Sequence, residues 1–164
     1  MSANIRKAEA KDMGDVLHLI KELADFEKAE HEVEITVDDL VAHGTGSKPD
    51  FTCFVAEEEN GDMVGIALVY YRFSTWKGLT VHLEDLMVKK EKRGHGIGMA
   101  LYTEVINYAY NEGVRRLEWI VLDWNKGAID FYKASGADVM NHWYTVQMEG
   151  KQMETFLKEK GKIG

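Results

Sequence analysis

The sequence predicts an α/β fold of the α+β mixed-sheet kind, a central mixed β-sheet flanked by helices on both faces. Three observations predict it. Short apolar runs of strand length alternate with longer stretches of helical periodicity along the 164 residues. Asn60-Gly61 stands between two such apolar runs, as a hairpin turn does. Ile97, Leu101, Val105 and Ala109 recur every fourth residue and mark one apolar helical face directly behind a glycine-rich segment.

Taken in order, Asn4 to Ala8 reads as a first strand. Asp12 to Phe26 reads as a helix with Met13, Val16, Leu17, Ile20, Leu23 and Ala24 on its apolar stripe. An acidic link from Phe26 to Glu32 follows. Thr36 with Asp39 resembles a capping box, and Gly44 is a stop for that second helix. Phe51 to Glu57 and Val64 to Tyr71 are the arms of the Asn60-Gly61 hairpin, and Leu79 to Val88 is the next strand. Gly96 to Asn111 is the long helix, with Gly113 as its stop. Leu117 to Asp123 reads as a strand. Asn125 caps a short helix from Lys126 to Ala134, closed by Gly136. His142 to Met148 is expected as a last strand, and Gln152 to Lys158 as a polar C-terminal helix. No repeat, linker or low-complexity tract interrupts the chain, so one domain over 1–164 is expected.

Composition narrows the function. Apolar residues make up 45% and charged residues 29%, ordinary for a soluble globular protein. No apolar run approaches the roughly 20 residues of a membrane helix. The leading segment, Met-Ser-Ala-Asn-Ile-Arg-Lys, lacks an apolar signal. Cys53 is the lone cysteine and lies in an apolar run; a buried structural thiol in a cytoplasmic protein is expected. No Cys/His cluster has zinc spacing, so no metal is expected. The net charge of −8 disfavours nucleic acid and favours a cationic small molecule as partner.

The chemistry concentrates between Leu83 and Met99. Glycines just ahead of a helix let the backbone approach a ligand, and the unpaired helix amides favour an anion there. A triphosphate-binding loop needs Lys-Ser/Thr after its last glycine, and here Met99-Ala100 follows. Gly94, Gly96 and Gly98 do not have dinucleotide-fingerprint spacing.

Arg93, Gly96 and Gly98 instead fill the pattern Arg-x-x-Gly-x-Gly, which resembles the acyl-CoA signature of the GNAT family of N-acetyltransferases. The element order agrees with that fold along essentially the whole chain. The resemblance sharpens at Leu83-Glu84-Asp85, at Asn125 with Phe131-Tyr132-Lys133, and at Lys21-Glu22-Leu23-Ala24 followed by Phe26-Glu27. Together these are similar to the spermidine/spermine, or diamine, acetyltransferase branch, which includes relatives that acetylate thialysine. The resemblance implies acetyl-CoA as co-substrate, a small-molecule amine as acceptor, and a homodimer.

Residue by residue, the resemblance implies that backbone groups of Leu86, Met87 and Val88 pair with the pantetheine arm like an added strand. Arg93 and the amides of Gly94, His95, Gly96, Ile97, Gly98 and Met99 would hold the pyrophosphate. Asn125 would bind near the pantetheine or the acyl end. Tyr132 would stand at the thioester sulfur and Glu84 would handle the acceptor proton. Phe26, Glu27, Glu30, Trp76, Asp85 and Trp143 would line the amine site. The chain departs from the branch at Ser74, where an acidic residue is usual, at Phe26, where a tyrosine is usual, and at Asn141-His142, where carboxylates are usual.

Acetyl transfer needs a neutral amine, whereas a primary amine of pKa roughly 10.4 is protonated near neutral pH. Glu84 could relay that proton through water and also attract the cation. Simple alternation along the strand would point Asp85 the other way. The departing thiolate needs a proton, and a phenol such as that of Tyr132 can supply it. The leading acceptor is a diamine or polyamine. The alternative is thialysine or a lysine-like amino acid, whose carboxylate needs a cationic partner; Lys77 and Arg72 are candidates. A non-catalytic acyl-CoA-binding module is a further alternative, but it need not retain both Glu84 and Tyr132.

Overall fold

The computed structural model describes residues 3–164. Met1 and Ser2, the start of the leading segment read above, lie outside the described residues. The chain divides into two compact units, Met1–Ile120 and Val121–Gly164.

The first unit contains β1 (Asn4–Lys7), α1 (Met13–Phe26), α2 (Val37–Gly44), β2 (Thr52–Glu57), β3 (Met63–Ser74), β4 (Gly78–Val88), α3 (Ile97–Asn111) and β5 (Leu117–Glu118). The sheet runs β1-β2-β3-β4-β5, antiparallel except for the parallel β4/β5 pair across the α3 connection, so it is mixed as expected. Side-chain alternation divides the core. Cys53, Val55, Ile66, Leu68 and Met87 face α1 and α2, where Met13, Val16, Leu19 and Leu40 cover them. On the opposite face α3 packs on β2, β3 and β4 through its buried Ile97, Leu101, Val105 and Ala109. Cys53, on the α1 and α2 face, is a buried structural thiol, pushed up to about 12 chiefly by burial.

Local chemistry accounts for the boundaries. Thr36 and Asp39 form the expected capping box at α2. Gly61 takes φ 87° in the β2–β3 turn, which the Asn60 side chain braces by accepting from Asp62 N at 3.0 Å. Arg6 ties β1 to its neighbours, donating to Asp12 at 2.7 and 3.0 Å and to Glu57 at 2.6 Å. The Arg6 guanidinium holds the Asp12 carboxyl below the usual range, against the opposing effect of burial.

The second unit holds α4 (Lys126–Ala134) and α5 (Gly150–Glu159). Asn125 caps α4 as expected, its side chain accepting from Ala128 N at 3.2 Å.

Two strand expectations are corrected. The strand predicted over Leu117–Asp123 stops at Glu118. Beyond it the backbone turns into α4, with Asn125 N bonded to Leu122 O at 3.0 Å and Lys126 N to Trp124 O at 2.9 Å. His142 to Met148 forms no strand. Alternating apolar residues give it strand character, but a strand also needs a ladder partner, and Tyr144 and Val146 are 91% and 92% exposed.

Gly65 sets how closely β3 approaches β4 beneath α3. A Cβ there would meet Met87 O at 2.8 Å and Leu101 Cδ1 at 3.0 Å. Gly65→Ala should therefore destabilise the protein by roughly 1–3 kcal/mol, read as a lower urea midpoint at unchanged m-value. A wild-type midpoint would mean that the strands have room to spare.

Candidate active site

Backbone geometry builds one half of the site. After β4 the chain makes a 3₁₀ turn over Lys90–Lys92 and enters the glycine segment. Arg93 anchors that segment, donating from Nε to Val88 O at 2.9 Å and setting its guanidinium 5.4 Å from the centre of the Phe26 ring. Gly94 and Gly96 take φ 79° and 82°, and Gly96 is the residue before the first turn of α3. Left-handed backbone suits glycine, and a Cβ at either position would meet no atom within 4 Å, so the loop presents an open face. The first amides of α3 have no intrahelical acceptor, and its first turn carries no acidic residue. An anion such as a pyrophosphate fits that donor set. On the edge of β4 away from β3, strand pairing within the described residues is limited to Val81 and His82. Leu86, Met87 and Val88 thus lie on a stretch whose outward backbone groups can pair with an extended ligand.

Side chains build the other half, and here the expected alternation fails. Leu68 pairs with Asp85, but Val69 pairs with Leu83, so Glu84 is the extra residue of a β-bulge. The bulge returns Asp85 to the α1 face beside Glu84 instead of turning it away. Both line an open pocket of about 460 Å³, floored by Ile20, Leu23, Leu40 and Leu68. Glu27, Glu32, Glu34 and Asp39 join them, and His43 is the lone imidazole of the lining. Glu27 sits where desolvation raises its carboxyl above the ordinary value.

Other expected residues lie elsewhere in this unit. Glu30 is exposed in a 3₁₀ turn and is not part of the pocket lining. Phe26 meets Arg93 and is likewise outside the lining. Trp76 is 77% exposed in the β3–β4 turn, which Ser74 Oγ braces by accepting from Trp76 N and Lys77 N, each at 3.2 Å. Arg72, one expected carboxylate partner, is committed elsewhere: it pairs with Glu118 at 2.9 Å and bonds to His82 Nδ1 at 3.2 Å. Lys77 also lies outside the pocket lining. Sequence reading missed His82 and His43. Position alone hinted at His82, two residues before Glu84 on a strand.

In the second unit, Tyr132 is the buried residue of α4, and its ring lies 5.4 Å from that of Phe131. Trp143 is 65% exposed in the irregular segment and stands beside His142, their ring centres 5.9 Å apart.

Burial pushes the Asp85 carboxyl up to about 7, and the charges of Glu84 and then Glu27 add to that. The folded protein therefore holds a proton that the unfolded chain releases between 3.8 and about 7, and this group makes stability fall as pH rises through that window. Asp85→Asn should remove the slope, so the gain in Tm over wild type should grow from about pH 5 to about pH 8. Parallel Tm curves would show that Asp85 ionises as a solvated carboxylate does.

Comparison with known proteins gives the same picture. The sequence matches the Acetyltransferase (GNAT) family over residues 16–137. It is 41% identical over 162 residues to a thialysine N-epsilon-acetyltransferase of Mus musculus, covering 93% of this chain and 95% of that protein. It is 34% identical over 139 residues to a spermidine/spermine N(1)-acetyltransferase-like protein of Homo sapiens, covering 81% of this chain but 20% of that protein. Among solved structures, an integron cassette protein of V. cholerae superposes with a TM-score of 0.76 at 23% identity, over 96% of this chain and 99% of that one, which supports the fold. An anion-binding helix start behind a bulged acidic strand, in a chain with these relatives, belongs to the GNAT family, and the protein is an acetyl-CoA-dependent N-acetyltransferase.

Proposed function

We propose that residues 1–164 act as one N-acetyltransferase domain that acetylates the side-chain amine of thialysine or a similar lysine-like amino acid. The observation that carries this reading is the open pocket in which Glu84 and Asp85 lie together, with His43 its lone imidazole. The carboxylates suit the acceptor's ammonium groups. His43 donates from Nδ1 to Asp50 at 2.6 Å, and in its imidazolium form it also carries an Nε2–H to offer the acceptor's carboxylate. The mouse relative, matched over nearly its whole length, is named for thialysine.

In this reading the backbone of Leu86 to Val88 and the amides from Gly94 to Met99 hold acetyl-CoA, with Asn125 near its pantetheine or acyl end. Glu84 accepts the proton of the acceptor amine through water. The freed nitrogen lone pair bonds to the acetyl carbon as the carbon–sulfur bond breaks. Tyr132 donates its phenolic proton to the departing thiolate, and the second proton, lost by the acylated nitrogen as it becomes the amide, returns through water to the Tyr132 phenolate. Desolvation of Asp85 helps, because a buried carboxylate attracts a cation more strongly than a fully solvated one. A homodimer, implied by the branch resemblance, and a cytoplasmic location, suggested by the lone buried thiol, complete the reading.

A second reading has a diamine or polyamine as acceptor. The further carboxylates of Glu27, Glu32, Glu34 and Asp39 favour it, since a second ammonium could meet them. The human relative is named for spermidine and spermine.

An amine panel with acetyl-CoA, read by thiol release, separates the two. Thialysine should show the highest kcat/KM. His43→Leu should raise its KM on the order of 10-fold and leave that of putrescine near wild type. A panel led by spermidine, indifferent to His43→Leu, would replace the first reading by the second.

Tyr132→Phe keeps the ring and removes the hydroxyl. It should lower kcat on the order of 10²-fold while acetyl-CoA affinity changes little, because the lost contact acts in the transition state. Near wild-type kcat, measured where chemistry limits turnover, would leave Tyr132 a packing residue.

A further inference from the structure

Glu84 does not stand alone at the pocket. Two residues earlier on β4, His82 is 5% exposed, and its Nε2 lies 3.5 Å from Glu84 Oε2. Its other ring nitrogen, Nδ1, lies 3.2 Å from Arg72 Nη1. A guanidinium only donates, so Nδ1 must present its lone pair. A neutral imidazole with that lone pair at Nδ1 carries its hydrogen at Nε2, the atom facing Glu84. Arg72 is held in turn by Glu118 at 2.9 Å, and Glu118 pairs with Arg116 at 3.0 Å. The Tyr70 ring lies 5.1 Å from the His82 ring, and burial, with the Glu84 charge after it, holds the Tyr70 phenol above its ordinary pKa.

We propose that His82 is the positioning residue of Glu84: Arg72 fixes its tautomer, and its Nε2–H aims the carboxylate toward the acceptor amine. This rests on the reading that Glu84 handles the acceptor proton. Burial lowers the His82 pKa and Arg72 lowers it further, while Glu84 and Glu118 oppose them; the net direction keeps the ring neutral. The same arrangement excludes His82 as the onward proton carrier. Nε2 already holds a hydrogen, and the lone pair at Nδ1 is covered by the guanidinium. The proton on Glu84 therefore leaves through water on the pocket side, where the Glu84 side chain is 51% exposed. At 3.5 Å the contact is an ion-pair separation and not a formed hydrogen bond; in the proposal it closes when substrate is bound, as catalytic hydrogen bonds often do.

The test is a double-mutant cycle on kcat for the best acceptor, with the acetyl-CoA thermal shift as a check on folding. His82→Phe keeps a ring and removes the donor; it should cost on the order of 10-fold in kcat. His82→Gln, which retains an N–H donor, should recover most of that loss, as a purely structural role for the imidazole would not. In a Glu84→Gln background His82→Phe should cost nothing further, because there is no carboxylate left to aim. If Glu84→Gln lowers kcat but His82→Phe does not, or the two losses multiply, the positioning role is wrong and the reading of Glu84 stands. If Glu84→Gln alone leaves kcat unchanged, that reading falls and the proposal with it. Should the His82 variants fail to fold, Arg72→Leu at a half-exposed position tests the same chain of contacts. It should lower kcat in the wild-type background and not in Glu84→Gln, and equal effects in both would overturn the proposal.

Discussion

In a regular β4, Glu84 and Asp85 would face opposite sides of the sheet, one toward α1 and the other toward α3. The unmatched residue opposite the Leu68–Val69 step turns both toward α1 instead. The pocket proposed for the acceptor follows from that step. It brings adjacent carboxylates to one pocket, leaves His82 on the same side as Glu84, and lets Met87 resume its place in the core two residues later. A strand that stayed in register would have buried Asp85 beneath α3, among Leu101 and Val105, where no cation could reach it.

Placing neighbouring carboxylates over an apolar floor is unfavourable in the empty protein, and the raised Asp85 pKa expresses that cost. In the proposed reading, that cost is also what makes the pocket selective. A cationic acceptor relieves the repulsion between Glu84 and Asp85, so part of its binding free energy comes from strain already present. A neutral amine of the same shape gains no such relief. Acceptor affinity is thereby linked to proton release from Asp85, and stability is sacrificed where function needs charge.

The parts of the molecule written in local chemistry were legible. The fourfold spacing from Ile97 to Ala109, the Thr36/Asp39 capping box and the Asn60-Gly61 turn each predict an element that the structure contains. The parts that depend on partners were not. Tyr144 and Val146 alternate as strand residues do, but among the described residues no strand pairs with them. The bulge at Glu84 is a relation between β3 and β4, and no residue type in Leu83-Glu84-Asp85 announces it. Arg72 could be noticed as a cation, yet its commitment to Glu118 and His82 depends on strands brought together by folding. His43 enters the pocket through α2, far from the motif that marks β4.

That division also explains why the co-substrate was easier to read than the acceptor. The half proposed for the pyrophosphate is built from backbone: glycines with left-handed φ and the bare amides of α3. Backbone geometry restricts sequence severely, so its signature is short and specific. The half proposed for the acceptor is built from side chains on α1, α2, β3 and β4 and the link between the first two. Many combinations of carboxylate and imidazole can bind an amine, and each reads locally as a solvated polar residue. On the proposed reading, acceptor choice lies in the balance of charge around a shared pocket, where replacing one imidazole changes the preferred substrate while the transfer chemistry stays the same.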